Sequence, residues 1–257
     1  MLSRETKIFV RMFLRTYLVG GCINTRGMQN IGLSYAMDPG LQMLYKDDAA
    51  LQKARKHYLR IYNTHPCWTP LLVGIFFFLE RKIIKGILPD RALAQMKSTI
   101  AYTLSAVGDS FFGGSLYVFW SLSTIVLLAF QLYGAALIWA LIWLPIIEGF
   151  KLYTFFRGIS EGISFLSRLK SFNLINWGAR LKLVNAGLVF VLWVRFWPGP
   201  LTPLIWISGT AFLLALAWCA SFSYRVREVI VYLVGAVLLI IPLLVDIVGD
   251  SLEFLQK

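Results

Sequence analysis

The sequence places one acidic residue among glycines inside a long apolar stretch, Gly108-Asp109-Ser110 followed by Gly113-Gly114. A carboxylate at that depth costs about 3 kcal/mol on insertion scales, so it faces a bundle interior, a partner or a polar cavity. The glycines let the backbone leave helical geometry and offer its own N–H groups to a ligand. Asp109 is therefore a candidate for a substrate site or a subunit interface. An N-cap on a discontinuous helix explains the same pattern, and both readings stand.

A second polar break is Asn63-Thr64-His65-Pro66, next to the apolar run Trp68–Leu79. Amides and hydroxyls donate and accept without net charge, which suits a hydroxyl-rich ligand; a helix stop with ordinary capping is the plainer alternative. His65 stands alone and reads as a hydrogen-bonded structural residue, not a phosphoryl carrier. Glu80 closes the apolar run and can pair with Arg81, Lys82 or Lys151, while Glu148 ends a later block and needs only to snorkel. No nucleotide loop, zinc-ligand spacing or nucleophile elbow occurs. Cys22, Cys67 and Cys219 are too scattered for a metal site and read as small buried residues. No catalytic residue, metal or cofactor is expected.

The elements that position these residues follow from hydropathy. The chain has 257 residues, 58% hydrophobic and 15% charged, against about half and a quarter in soluble domains. Its apolar residues lie in blocks such as 116–147 and 229–245, long enough to enter a hydrocarbon layer of roughly 30 Å. The net charge of +12 then points to anionic lipid headgroups and not to nucleic acid. No cleavable signal peptide is expected, because Arg11 and Arg15 interrupt the first apolar segment.

Residues 4–18 predict an amphipathic helix with Arg4, Lys7, Arg11 and Arg15 on one stripe, suited to a membrane surface or to docking on a partner. Gly20-Gly21 ends it, and Asp38-Pro39-Gly40 reads as a turn. Asp47 or Asp48 caps a charged helix running to about Tyr62. The run 68–79 is short for a span and predicts a re-entrant or protein-buried segment. Gly134 permits a tight hairpin within 116–147. Three C-terminal spans are expected near 183–197, 203–220 and 229–245. Positive charge places Lys151–Lys182 and Arg225/Arg227 in the cytoplasm. The Trp197–Pro200 turn and the acidic C-terminus would then lie outside. The fold class is an all-α integral membrane protein: amphipathic N-terminal helices, re-entrant or short helical hairpins, and about three C-terminal transmembrane spans. One membrane domain covers 1–257, divided into an interfacial region 1–66, apolar hairpins 67–150, a basic amphipathic segment 151–182 and spans within 183–250.

Three segments together resemble the IID components of mannose/fructose/sorbose-family phosphotransferase permeases. Gly21-Cys22-Ile23-Asn24-Thr25-Arg26-Gly27-Met28-Gln29-Asn30-Ile31-Gly32 resembles the family's G-S-W-N-x-E-R-M-Q-x-x-G stretch. Tyr58-Leu59-Arg60-Ile61-Tyr62-Asn63-Thr64-His65-Pro66 resembles its H-L-E-F-F-N-T-H/Q-P stretch. Ala106 to Gly114 resembles its A-G-x-G-D-x-x-F-W-G-T stretch, and order and separations fit over residues 8–190. The resemblance implies a membrane subunit that translocates a sugar with a IIC partner while separate IIA and IIB proteins carry the phosphoryl group. It implies a multi-pass protein of the bacterial inner membrane, compatible with a homo-oligomer of the IIC/IID unit. Asn24, Gln29, Asn63, His65, Glu80 and Asp109 become the substrate-binding or subunit-interface candidates. The sequence departs from the family at Arg26-Gly27, at Arg81, at Tyr102-Thr103-Leu104 and in a shortened loop between the last spans. Those changes favour the alternative, a regulatory or structural membrane protein that kept the fold and lost transport. A membrane enzyme is disfavoured by the missing catalytic constellation.

Overall fold

The computed structural model describes residues 3–196, 202–222 and, of the remainder, 228, 229 and 233. The chain divides into two compact units, Met1–Arg195 and Phe196–Lys257. The described part of the second unit is dominated by one apolar helix, Pro203–Phe222. It covers the expected span 203–220. The expected span 229–245, the Trp197–Pro200 turn, Arg225, Arg227 and the acidic C-terminus lie almost wholly outside the described residues.

The first unit is helical throughout its described residues apart from loops and two isolated β-bridges. It begins with α1 (Arg4–Thr16), whose first turn is capped by Ser3 Oγ accepting from Thr6 N at 3.1 Å. Helix α2 runs Asn30–Leu44 and α3 runs Asp48–Tyr58, with Asp47 as the N-cap of α3. Two expectations change here. The charged helix stops at Tyr58, where the chain turns into the polar break. Asp38-Pro39-Gly40 is not a turn but lies inside α2. Proline removes a backbone donor, and Arg15 replaces it: its Nη1 donates to Tyr35 O at 3.0 Å.

Helix α4 (Thr69–Ile84) is the centre of this unit. Leu71, Leu72, Val73, Ile75, Phe76 and Phe77 are all fully buried. Of the two readings of the short apolar run, the structure selects the protein-buried one: α4 is a single helix surrounded by α1, α2, α5 (Asp90–Gly108) and α7 (Tyr133–Glu161). Its closest approach is to α7. A Cβ on Gly74 would sit 2.5 Å from Phe155 O, and one on Gly158 would sit 2.7 Å from Leu71 O. Small residues that let two backbones touch are the usual packing device between membrane helices.

Helix α5 (Asp90–Gly108) continues without a break through a π-helical stretch, Asp109–Leu116, into α6 (Tyr117–Ala129). A hairpin follows, as expected, but its apex is Phe130–Leu132, with Gln131 at φ 60°; Gly134 already belongs to α7. Only α6 is short. Helix α8 (Ser164–Ser171) and α9 (Leu174–Arg195) complete the unit. The expected span 183–197 thus begins earlier. Among the described residues three segments are long and apolar enough to cross a membrane: Asp90–Ala129, Tyr133–Glu161 and Ser164–Arg195. The last runs alongside the first, and Asn185 Nδ2 donates to Ser115 O in the π-helical stretch at 3.0 Å.

Candidate functional site

The segment around Asn24 is folded by its own side chains. Asn24 Oδ1 accepts from Arg26 N at 3.1 Å and Gly27 N at 2.8 Å. Backbone bonds in both directions pair Asn24 with Met28, which takes φ 57°. Such a side-chain-closed turn is what an asparagine offers a loop. The loop is then zipped to the Asn63 break. Gln29 N donates to Tyr62 O at 2.8 Å, and Tyr62 N donates to Gly27 O at 3.2 Å. Asn30 Nδ2 donates to Leu59 O at 2.6 Å, and Thr64 N donates to the buried Gln29 Oε1 at 3.1 Å.

His65 connects this pair of loops to the third segment. Its ring stacks on Phe112 with centroids 5.3 Å apart and planes inclined by 16°. A Cβ on Gly108 would lie 2.4 Å from His65 Cβ, so only glycine lets α5 close against the loop there. Burial holds the imidazole below its ordinary pKa; the nearby Asp109 pulls it up and Lys151 pushes it down. The ring is therefore mostly neutral near neutral pH, and its Nδ1 accepts from Cys67 N at 3.3 Å.

Asp109 is exposed on the π-helical stretch and accepts from Ser105 Oγ at 3.4 Å. It does not cap a helix start, because the helix passes through it. Asn63 is half-buried in the loop beside Thr64. Asn24, Gln29, Asn63, His65 and Asp109 therefore belong to one connected region. Glu80 does not. It lies at the far end of α4, 1% exposed, accepting from Tyr45 Oη at 2.6 Å and Tyr58 Oη at 2.7 Å. It pairs with none of Arg81, Lys82 or Lys151.

Three further residues join the region. Glu148 is bonded to the Tyr17 hydroxyl and, at 2.8 Å, to Lys151 Nζ, which lies 4.9 Å above the Tyr17 ring. Glu148 thus does more than snorkel. The sequence held a signal for this: two opposite charges one helical turn apart inside an apolar helix form a pair because lipid tolerates neither alone. A cleft of about 130 Å³ opens here, bounded by Thr16, Tyr17, Gln29, Pro66 and Lys151. At roughly 30 Å³ per water it holds about four waters. Its hydroxyls already donate, Thr16 to Phe13 O and Tyr17 to Glu148, which leaves the Gln29 amide and the Lys151 ammonium to hydrogen-bond part of a polyol. Among the described residues no group of three or more His, Cys, Asp or Glu side chains could hold a metal.

The chain is similar to known proteins in sequence and in fold. A family model described as the mannose/fructose/sorbose-family phosphotransferase IID component matches residues 4–190. The fructose permease IID component of Bacillus subtilis is 31% identical over 107 residues, 41% of this chain and 38% of its own length. The mannose-specific EIID component of Escherichia coli K12 is 29% identical over 156 residues, 60% of this chain and 53% of its own length. The chain spans about half the length of these curated relatives, or less. Among solved structures, one described only as a membrane protein superposes with a TM-score of 0.65 at 20% identity, covering 91% of this chain and 96% of that one. The mannose transporter ManYZ in complex with microcin E492 superposes with a TM-score of 0.55 at 24% identity, covering 77% and 72%. At these identities the two structures speak to the fold alone.

Proposed function

The chain belongs to the IID components of mannose/fructose/sorbose-family phosphotransferase systems, and from that premise we propose that it forms, with a IIC-type membrane partner, the unit that carries a sugar across the bacterial inner membrane. Separate IIA and IIB proteins supply the phosphoryl group. This chain then contributes helices and hydrogen-bonding groups and never holds the phosphoryl group itself.

One observation carries the reading. The three motif segments, distant in sequence, meet at His65: the Asn24–Asn30 loop through Gln29 and Thr64, and the third segment through Gly108 at the end of α5 and Phe112 in the π-helical stretch. Asp109 and the Glu148–Lys151 pair border the same region. Polar groups inside membrane segments mark substrate routes or interfaces. The cleft of about 130 Å³ is too small for a whole sugar, so a second wall from a partner completes it. Exposed apolar side chains along α7, among them Leu137, Ile138, Leu141 and Leu144, offer the partner or lipid a contact face. The basic turn between α7 and α9 faces the cytoplasm in this reading, following the positive-inside rule.

The test is uptake of radiolabelled mannose and fructose in cells that supply the IIA, IIB and IIC proteins, with pull-down of the IIC chain. Asp109→Asn and Lys151→Met are expected to lower uptake at least tenfold while the partner is still recovered. Normal uptake in Asp109→Asn, Lys151→Met and Asn63→Ala would remove these residues from the sugar route. No uptake by the unaltered chain, with its partner bound, would favour a subunit that keeps the fold for regulation.

A further inference from the structure

We propose that the trough between α5 and the α8–α9 turn is a binding site for a single anionic phospholipid. The trough measures about 570 Å³, space for about nineteen water-sized groups at roughly 30 Å³ each, which suits an acyl chain. Ile100, Leu104 and Val107 form one wall; Leu166, Leu169 and Leu174 form the other. Both walls belong to segments long and apolar enough to cross a membrane, so lipid has access to the opening.

The polar groups at the trough show which lipid fits. Thr99 and Thr103 line it, but their hydroxyls are spent on their own helix, on Gln95 O at 3.1 Å and Thr99 O at 2.9 Å. That leaves Lys170 and Asn173 at the α8–α9 end. Lys170 makes no ion pair among the described residues, whereas its neighbour Arg168 is already held by Glu161 at 2.9 Å. No acidic residue lines the trough. An apolar channel ending in one uncompensated ammonium and one amide is complementary to an acyl chain ending in a phosphodiester with net negative charge. A bare partner helix would fill the channel and leave Lys170 unanswered.

The site is independent of the sugar route, so it can fail or stand without it. The full chain, purified with any partner that stays bound, is exchanged into micelles holding equal amounts of phosphatidylglycerol and phosphatidylcholine. Lipids retained are counted by native mass spectrometry. The expected result is one retained phosphatidylglycerol per chain, preferred about fivefold, the contribution of one lysine near an anionic surface. Lys170→Glu should bring the preference to parity or below. Thr103→Trp, an exposed position on the wall, should abolish retention with an unchanged helical spectrum; Thr99→Phe serves if that variant fails to fold. A photo-crosslinker at Thr103 should yield a phospholipid adduct in native membranes. Equal retention of both lipids, or a preference untouched by Lys170→Glu, overturns the proposal. So does an adduct to a protein in place of a lipid.

Discussion

Arg15 stands in for the amide proton that Pro39 lacks. The Tyr35 carbonyl lies one turn before Pro39 in α2 and has no backbone donor there; Arg15 Nη1 donates to it at 3.0 Å. The guanidinium also lies 4.0 Å over the Tyr35 ring and 3.8 Å from Asp38. Arg15→Met should cost about 1 kcal/mol, the net worth of a hydrogen bond at an exposed carbonyl. Pro39→Ala in the same background restores the N–H and should recover part of that. Thermal unfolding of the two single variants and the double variant measures the coupling. Strictly additive effects would show that the two residues do not act on one carbonyl.

Glu80 makes stability depend on pH. Burial raises its pKa above the ordinary value, against the hydroxyls of Tyr45 and Tyr58, which act to lower it. A folded-state pKa above the unfolded one means the folded form holds the proton more tightly. The associated stability is complete below the unfolded value and is lost as pH rises through the folded one. The melting temperature should therefore be higher at about pH 5 than at about pH 8. Glu80→Gln keeps a neutral acceptor between the two hydroxyls and should flatten that difference. An equal slope in the variant would assign the dependence to other groups.

The contact of α4 with α7 should be intolerant of a single methyl group. Gly158→Ala places a Cβ 2.7 Å from Leu71 O. It is expected to lower stability by about 1–3 kcal/mol, as overpacking does. Gly149→Ala, on the same helix with nothing within 4 Å, should be neutral or gain up to about 1 kcal/mol of helix propensity. Comparing the two melting temperatures in one detergent checks this. Equal effects would mean that the helices adjust freely.

Asn185 should hold the π-helical stretch against α9. It is 7% exposed and donates to Ser115 O at 3.0 Å. Asn185→Leu should cost on the order of 1 kcal/mol, as for other interhelical bonds in membranes. Gly187→Ala, which meets nothing within 4 Å, is the control on the same helix. Unfolding in detergent reads both, and an unchanged Asn185→Leu would show that the stretch needs no outside donor.

Local signals in the sequence were reliable where the cause was local. The Asp47 cap, the arginine stripe of α1 and the buried run of α4 are each visible within a few residues. The three motif segments are legible too, because a polar break in apolar sequence is conspicuous. What escaped depends on partners far along the chain. Pro39 reads as a turn until Arg15 supplies the missing donor. Glu80 reads as a salt-bridge partner of Arg81 until Tyr45 and Tyr58 enclose it. Asp109 reads as a helix break because π-helical widening has no compositional mark. The pairing of Tyr17 with Glu148 joins residues 131 apart in sequence, a distance at which spacing carries no information.

The enclosure of α4 also bears on how the protein is made. Its apolar surface is covered in part by Phe155 and Ile159 of α7. When Ile84 leaves the ribosome, those residues are roughly seventy codons away, or about 4–14 s of synthesis at 5–20 residues per second. For that interval the most apolar of the first four helices has neither lipid nor its final neighbour as a lasting home. Biogenesis must therefore shelter it, at an insertase or against the nascent α1–α3, until α7 arrives. A chain truncated before α7 would be a substrate for quality-control proteolysis, not a folded fragment.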